Sequence, residues 1–486
     1  MQIEPLPLAQ DFEPADAARW AALVEKGLKG RPFESLVSTT EDGLAIKPLY
    51  TAEDAGPVLG PRPEPAADPK RPWDLRAVVD HPSPAEANRL ALKELEGGAH
   101  SLLLRLDPSA RDGVAAVNLD DLAVVLQRVY VELAPIALDA GFLGPEATNW
   151  LAIAAKGSPN APLAFHMDPV SAFAEAGASP GPMDQHLNAA AQACARHAHA
   201  YPKATGFLAS GRPAHEAGGT EAHELGLMAA SAVAYARALV DETELTVEDA
   251  FSRIVLGLSA NKDDALTLAK LRAARAIWAR LCQVAGVNLP AKIEARGSRR
   301  MLSARDPWVN LLRQTAATFG AAVGGADALV LDPFTRPLGG SSELARRQAR
   351  NIQLVLMEEA HLGRVADPAG GGWHFEALTR ELAAKGWAVF QAIEAEGGVI
   401  AALEHGGFQQ GVAEARAARE AAIAEKRRPV LGVTAFPDAH EKPVPIDAID
   451  RTAFARDHDL AKPGPDSRCE PLTPMRWSAP YEEAAR

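Results

Sequence analysis

Apolar positions recur at two different spacings along this chain. Between residues 11 and 29, Trp20, Leu23, Val24 and Leu28 fall on one helical face with Glu25 and Lys26 outside it, which predicts an amphipathic helix. A strand pair follows, ending in Ile46-Lys-Pro-Leu-Tyr50. Gly56 to Pro72 then carries too many prolines for a helix or a strand ladder, so it reads as an extended linker. From Trp73 to about residue 400 the pattern changes. Short apolar runs such as Ser101-Leu-Leu-Leu-Arg-Leu106 and Ala328-Leu-Val-Leu331 alternate with longer Ala- and Leu-rich stretches at helical spacing. That alternation predicts parallel βα units, and a stretch of this size fits one (β/α)8 TIM barrel, for which about 250 residues is typical. A doubly wound sheet is the second choice, although no GxGxxG follows a first strand.

Within that region, Asp184 to Tyr201 and Lys270 to Leu281 are predicted amphipathic helices; in the second, Leu271, Ala274, Trp278 and Leu281 form one face, with Lys270, Arg272 and Arg280 elsewhere. A last helix, Val412 to Lys426, precedes a proline-punctuated remainder that reads as a tail. The expected division is therefore residues 1–70 as an N-terminal arm and linker, 71–410 as the barrel, and 411–486 as a C-terminal helix and tail.

Composition narrows the function. The 486 residues carry 50 basic and 63 acidic side chains, a net charge of −13 that opposes attraction to nucleic acid or an anionic membrane. The three cysteines, Cys194, Cys282 and Cys469, are far apart, which suggests neither a disulfide framework nor a zinc site and fits the cytoplasm. No signal-peptide pattern or membrane span is found.

Two groups of residues invite a site. His197, His199, His215 and His223 could suggest a metal, but eight residues with two glycines separate the last two, unlike the four-residue spacing of a zincin helix, so no metal is expected. Arg346, Arg347 and Arg350, and Arg299 with Arg300, could hold the phosphates of CoA, because guanidinium forks match phosphate oxygens. A solvated or ion-paired face is the plainer reading of the same residues.

One long stretch carries a family resemblance. Ala349-Arg-Asn-Ile-Gln-Leu-Val-Leu-Met-Glu-Glu-Ala-His361, Val365-Ala-Asp-Pro-Ala-Gly-Gly-Gly-Trp-His-Phe-Glu376 and Phe390-Gln-Ala-Ile-Glu-Ala-Glu-Gly-Gly398 resemble the barrel of the cobalamin-dependent acyl-CoA mutases. Leu28-Lys-Gly30, Ile46 to Asp54, Trp73-Asp-Leu-Arg76, Pro84 to Asn88, Lys270 to Arg275 and Leu431 to Phe436 extend the likeness over almost the whole chain. Catalytic members of that family carry S-G-Y-H-x-x-E-A-G, whose tyrosine packs at the reacting carbons and whose histidine hydrogen-bonds the thioester carbonyl. Here the segment is Ser210-Gly-Arg-Pro-Ala-His-Glu-Ala-Gly218, so Arg212 and Pro213 stand in place of the pair. The family's G-Y-D-S-D and Q-T-S-G segments are also replaced, by Arg105 to Gly113 and by Gly297 to Leu302. Arg253 matches a CoA-contacting arginine, yet Val255 stands where a serine is expected.

The resemblance implies a non-catalytic small (beta) subunit of methylmalonyl-CoA mutase, with no catalytic residue and no metal of its own and Arg253 as a vestigial CoA contact. It implies a heterodimer whose large (alpha) subunit holds adenosylcobalamin and isomerises methylmalonyl-CoA to succinyl-CoA in propionate metabolism, with residues 1–70 as the subunit-interaction arm. About 50 residues follow Val433, fewer than the 100 or more that a doubly wound cobalamin domain needs, so none is expected. Asp438-Ala-His440 is similar to the start of a cobalamin D-x-H-x-x-G motif, but Pro443 replaces the glycine and a solvated linker is expected. Two alternatives remain. One is a catalytic barrel whose cobalamin domain is a separate chain, the other an acyl-CoA-binding regulatory barrel.

Overall fold

In a computed structural model, residues 16–60, 68–438, 440–462, 464 and 467–482 are described. Strands β1 (Ser38–Thr39) and β2 (Ala45–Ile46) form a short antiparallel ladder. The remaining strands are β3 (Asp74–Val79), β4 (Ser101–Arg105), β5 (Ile136–Asp139), β6 (Ala164–Met167), β7 (Thr205–Ser210), β8 (Ile254–Ala260), β9 (Ile293–Gly297) and β10 (Ala328–Val330). They close into a parallel barrel in the order β10-β3-β4-β5-β6-β7-β8-β9. Closure removes the doubly wound alternative, because an open sheet would leave β3 and β10 unpaired, whereas Leu75 registers with Leu329.

The alternation of each strand sorts its residues between two cores. Leu75, Val79, Leu102, Leu104, Ile136, Leu138, Phe165 and Phe207 point outward into one continuous core shared with the surrounding helices. Val78, Leu103, Ala137, Ala164 and Val330 point inward and make a separate, small cluster. On either side of that cluster the inward positions are charged. Arg76 donates to Ser101 Oγ at 3.0 Å, to Asp74 at 2.7 Å and to Glu294. Glu294 also accepts from Arg296 Nε at 2.6 Å, and Arg296 continues to Asp139 at 2.6 Å. Ala137, Ala164 and Gly257 are small where these long side chains need room; a Cβ on Gly257 would lie 3.0 Å from Ser210 Cβ. A chain of paired charges therefore crosses the lumen, in which the buried Arg76, Glu294 and Arg296 are matched to one another and to the half-buried Asp74 and Asp139, as buried charges require.

The helices depart from expectation in one respect. Helix Asp264–Ala285 is buried nearly all round, between Glu221–Glu242 and Trp373–Ala395. Lys270 and Arg272, expected away from the apolar face, are both buried. Lys270 Nζ lies 2.5 Å from carboxylate oxygens of Glu221 and Glu224. Arg272 pairs with Asp367 and Glu376 at 2.8 Å each. The helix's own period identifies an apolar face but not a second helical layer packed on its other side.

The flanking segments also differ from a free linker and a free tail. Residues 61–67 of the proline-rich stretch, and residues 11–15 of the first helix, lie outside the described residues. What precedes and follows residues 61–67 lies against the barrel: Arg380 donates to the carbonyls of Asp54 and Ala55, and a Cβ on Gly60 would touch Ala276. Asp42 caps the amide of Ala222 at 2.9 Å. At the other end, the tail crosses the barrel's C-terminal face. Arg456 N bonds Pro108 O at 2.8 Å, Cys469 N bonds Gly177 O at 3.0 Å, Leu472 N bonds Ala174 O at 2.7 Å, Met475 N bonds Glu216 O at 2.9 Å and Trp477 N bonds Arg300 O at 3.0 Å. It touches the loops after β4, β6, β7 and β9 in turn.

Candidate functional site

Enzymes of this fold place their chemistry at the C-terminal face, where the βα loops converge. The segment after β7 sits there. Gly211 lies so close to helix Glu221–Glu242 that a Cβ would lie 1.9 Å from the carbonyl oxygen of Glu224, so only glycine fits. Arg212–Glu216 then forms a short helix with Pro213 in its first turn, where the missing N–H costs nothing. Pro213 is buried and offers no donor toward the lumen. The Arg212 guanidinium lies 3.5 Å from Glu216, and burial together with Arg296 and Arg299 lowers its affinity for a proton.

Around Arg212 lies a lattice of ion pairs. Arg299 donates to Asp332 at 2.6 Å and to Asp112 at 2.9 Å. Arg105 reaches Asp112 and Asp139 at 3.5 Å and Asp332 at 3.6 Å. Burial alone would push the carboxyls of Asp139 and Asp332 up, but the neighbouring guanidinium groups outweigh it and hold both well below the usual range. Such carboxylates stay charged and paired, which makes them poor proton carriers.

The two histidines nearest the mouth are neutral for related reasons. Burial lowers His166 to about 4, although Glu294 lies 3.7 Å away. His166 also has a positive φ of 45°, at the irregular register between β6 and β7. Burial, helped by Arg300 and Lys270, lowers His215 well below its ordinary value, while its Nε2 meets Ser298 Oγ at 2.8 Å. Asp168 runs the other way. Burial raises it to about 7 despite the Tyr235 hydroxyl that donates to it at 2.5 Å. It also caps the following helix through Ser171 N at 3.2 Å. This carboxyl is the residue that sequence reasoning missed; Asp168 directly before Pro169 is an N-cap signal, but nothing in the sequence indicates the burial that shifts it.

The other anticipated residues are dispersed. His215 lies with Glu221 and Glu224, whose ligand atoms are within 4.8 Å of one another. The positive charge among them is the Lys270 ammonium, bonded to both carboxylates, so a metal ion there would have to displace it. His223 is turned back on its own helix start at Thr220, and His197 meets Asn149 at 2.9 Å. Arg350 is engaged by Glu94 and the carbonyl of Gly97, Arg300 by the carbonyls of His215 and Gly219, and Arg346 by Asp80, which leaves the exposed Arg347 of the arginines considered for phosphate. Arg253 sits just before β8 at the opposite end of the barrel. It donates to the carbonyls of Ala204 at 2.6 Å, Pro202 at 3.2 Å, and Tyr201 and Ala198 at 3.3 Å. As a CoA contact it would have to surrender these bonds. His440 is exposed, and its amide bonds Asp438. Among the described residues no second parallel sheet flanks it, so the surroundings of His440 do not fit a corrin.

The methylmalonyl-CoA mutase family model matches residues 39–462. The chain is 39% identical over 463 residues to a methylmalonyl-CoA mutase small subunit of Streptomyces virginiae, covering 90% of this chain and 73% of that protein. It is 33% identical over 462 residues to the small subunit of Propionibacterium freudenreichii subsp. shermanii, covering 89% and 70%. To a methylmalonyl-CoA mutase of Cereibacter sphaeroides the identity is 27% over 482 residues, covering 92% and 68%. The likeness runs from the β1–β2 ladder through the barrel and into the tail, and on it this chain belongs to the methylmalonyl-CoA mutase family.

Proposed function

We propose that this chain is the non-catalytic small subunit of an adenosylcobalamin-dependent methylmalonyl-CoA mutase, acting in the cytoplasm in propionate metabolism. It pairs as a heterodimer with a large subunit that holds the cofactor and isomerises methylmalonyl-CoA to succinyl-CoA. The observation that carries the reading is the mouth of the barrel. Where catalytic relatives are expected to present tyrosine and histidine, Arg212 joins an ion-paired lattice and Pro213 closes a helical turn. Two further observations support it: paired charges cross the lumen that a substrate would need, and the tail is bonded across the face above it.

In this reading the chain contributes stability and an interface. Helix Ala17–Leu28 supports the interface, because Leu23 is 63% exposed while Trp20, half-buried, packs on Phe33 at 6.0 Å between ring centroids. A helix this short is marginal in water without a surface to cover.

The test is to purify this chain and the large subunit separately and together. The chain alone should neither bind adenosylcobalamin in a spectroscopic titration nor turn over methylmalonyl-CoA. Arg212→Tyr with Pro213→His should not confer activity either. Stoichiometric cobalamin binding, or turnover by the double variant, would overturn the reading.

A further inference from the structure

Beyond β10 the chain passes through Arg336 and turns at Gly339, with φ 84°, before helix Glu343–Leu354 begins. Together with the loops after β3 and β4 and the tail near residue 450, this turn encloses a cleft of about 260 Å3. Arg111, Arg336, Arg346 and Arg451 line it, with Asp80, Asp112 and the backbone of Gly339–Ser341. The cleft adjoins the Arg212 mouth and shares Asp80 and Asp112 with its ion-paired lattice.

Its charges do not balance. Asp80 accepts from Arg336 at 2.7 Å and from Arg346 at 3.3 Å. Asp112 pairs with Arg336 and Arg299, and Arg105 lies behind both carboxylates, 3.9 Å from Asp80 and 3.5 Å from Asp112. The two carboxylates are thus already shared among buried Arg105 and half-buried Arg299, Arg336 and Arg346. Among the described residues, Arg451 reaches only carbonyl oxygens, at Asp80 and Ala110. Arg111 is exposed and makes no hydrogen bond or ion pair among the described residues. Two guanidinium groups therefore face the cleft without a carboxylate of their own. Burial and the repulsion of Arg105 and Arg451 push Arg336 down to about 10, despite Asp80, as expected where positive charge is in excess.

We infer that this cleft binds a phosphate dianion, free or as the head of a phosphate monoester. The uncompensated charge equals that of the ligand. Guanidinium forks match phosphate oxygens in shape, and the glycine turn brings backbone close without a Cβ in the way. The start of helix Glu343–Leu354 adds a favourable dipole. The inference goes beyond the subunit reading and does not depend on it.

Titration calorimetry on the whole chain tests it, with inorganic phosphate and phenyl phosphate as probes and chloride at matched ionic strength as the control. Both Arg451→Gln and Arg111→Gln lie outside the lumen; the first should weaken phosphate binding at least tenfold and the second about threefold. Arg347→Gln, on the exposed face beside the cleft, should leave it unchanged. Affinity for phenyl phosphate should rise between pH 5 and 7.5, as the second ionisation near pH 6 completes the dianion. Binding of both probes supports a monoester site, and binding of inorganic phosphate alone supports a free-ion site. Phosphate binding no stronger than chloride, or unchanged in the Arg451→Gln/Arg111→Gln double variant, would overturn the proposal whether or not the chain pairs with a large subunit.

Discussion

The two ends of this chain look alike in sequence and behave differently in the fold. Both carry proline-rich stretches that read as a linker or a tail. The described start of the chain, residues 16–36, has a helix whose apolar side is only partly covered: Leu28 is buried, Trp20 and Val24 are half-buried and Leu23 is exposed. The tail has little periodicity, yet Leu472 and Trp477 are buried and its backbone is bonded to one βα loop after another. An amphipathic pattern shows that a segment needs a surface, whereas the bonding of its backbone shows that it has found one. The tail belongs structurally to the barrel; the first helix keeps Leu23 at the surface.

The largest effect expected from this contrast is at Trp477, whose ring lies between the guanidinium groups of Arg300 and Arg419, at 5.4 and 5.5 Å. Trp477→Ala should destabilise the isolated chain by about 3–5 kcal/mol, the usual cost of removing a buried aromatic ring. Chemical denaturation with an unchanged midpoint would mean that the tail lies on the barrel without stabilising it. Deletion of residues 1–36 should do the reverse. Folding of the isolated chain should be nearly unaffected, while affinity for the large subunit should fall at least tenfold, about 1.4 kcal/mol. The cut stops short of the ladder because Asp42, Asp54 and Ala55 are bonded to the barrel. A lowered denaturation midpoint with intact affinity would show that the helix serves its own barrel.

The smallest effect concerns the tail's end. Burial raises the Glu482 carboxyl, but hydrogen bonds from Arg476, Ala304 N and Ser478 outweigh it and hold the group below its ordinary value. A carboxyl depressed in the folded state contributes stability above its unfolded value, near 4.5, and loses it as pH falls through the folded one. The contribution is on the order of 1 kcal/mol or less, as for a partly exposed pair. Hydrogen exchange at residues 475–482, corrected for intrinsic rates, should show less protection at pH 4 than at pH 7. Glu482→Gln should remove that difference, and an equal pH response in the variant would assign it elsewhere.

Much of the barrel was legible because its signals are local. The apolar runs at Ser101–Arg105 and Ala328–Val330 are strands where the alternation places them. The stretch Val365 to Glu376 identified the family, and the fold adds a physical role: Asp367 and Glu376 neutralise Arg272 inside the helical layer. The replacement of tyrosine and histidine by Arg212 and Pro213 was also visible in the sequence, but the ion-paired setting of Arg212 was not. Its lattice draws on residues after β3, β4, β5, β9 and β10, which the chain separates by more than two hundred positions.

The sequence by itself determined the alternation of strands and helices, the family, and the presence of Arg212 and Pro213 where the resemblance leads one to expect tyrosine and histidine, since each depends on the residues present and their spacing. The tertiary structure alone decided that Lys270 and Arg272 are buried, that Arg253 is bound by carbonyls, that Asp168 is raised to about 7, and that the tail lies across the barrel mouth. The reason is physical. Periodicity reports how a side chain stands relative to its own helix or strand, while burial, pairing and proton affinity depend on what the rest of the chain brings against it.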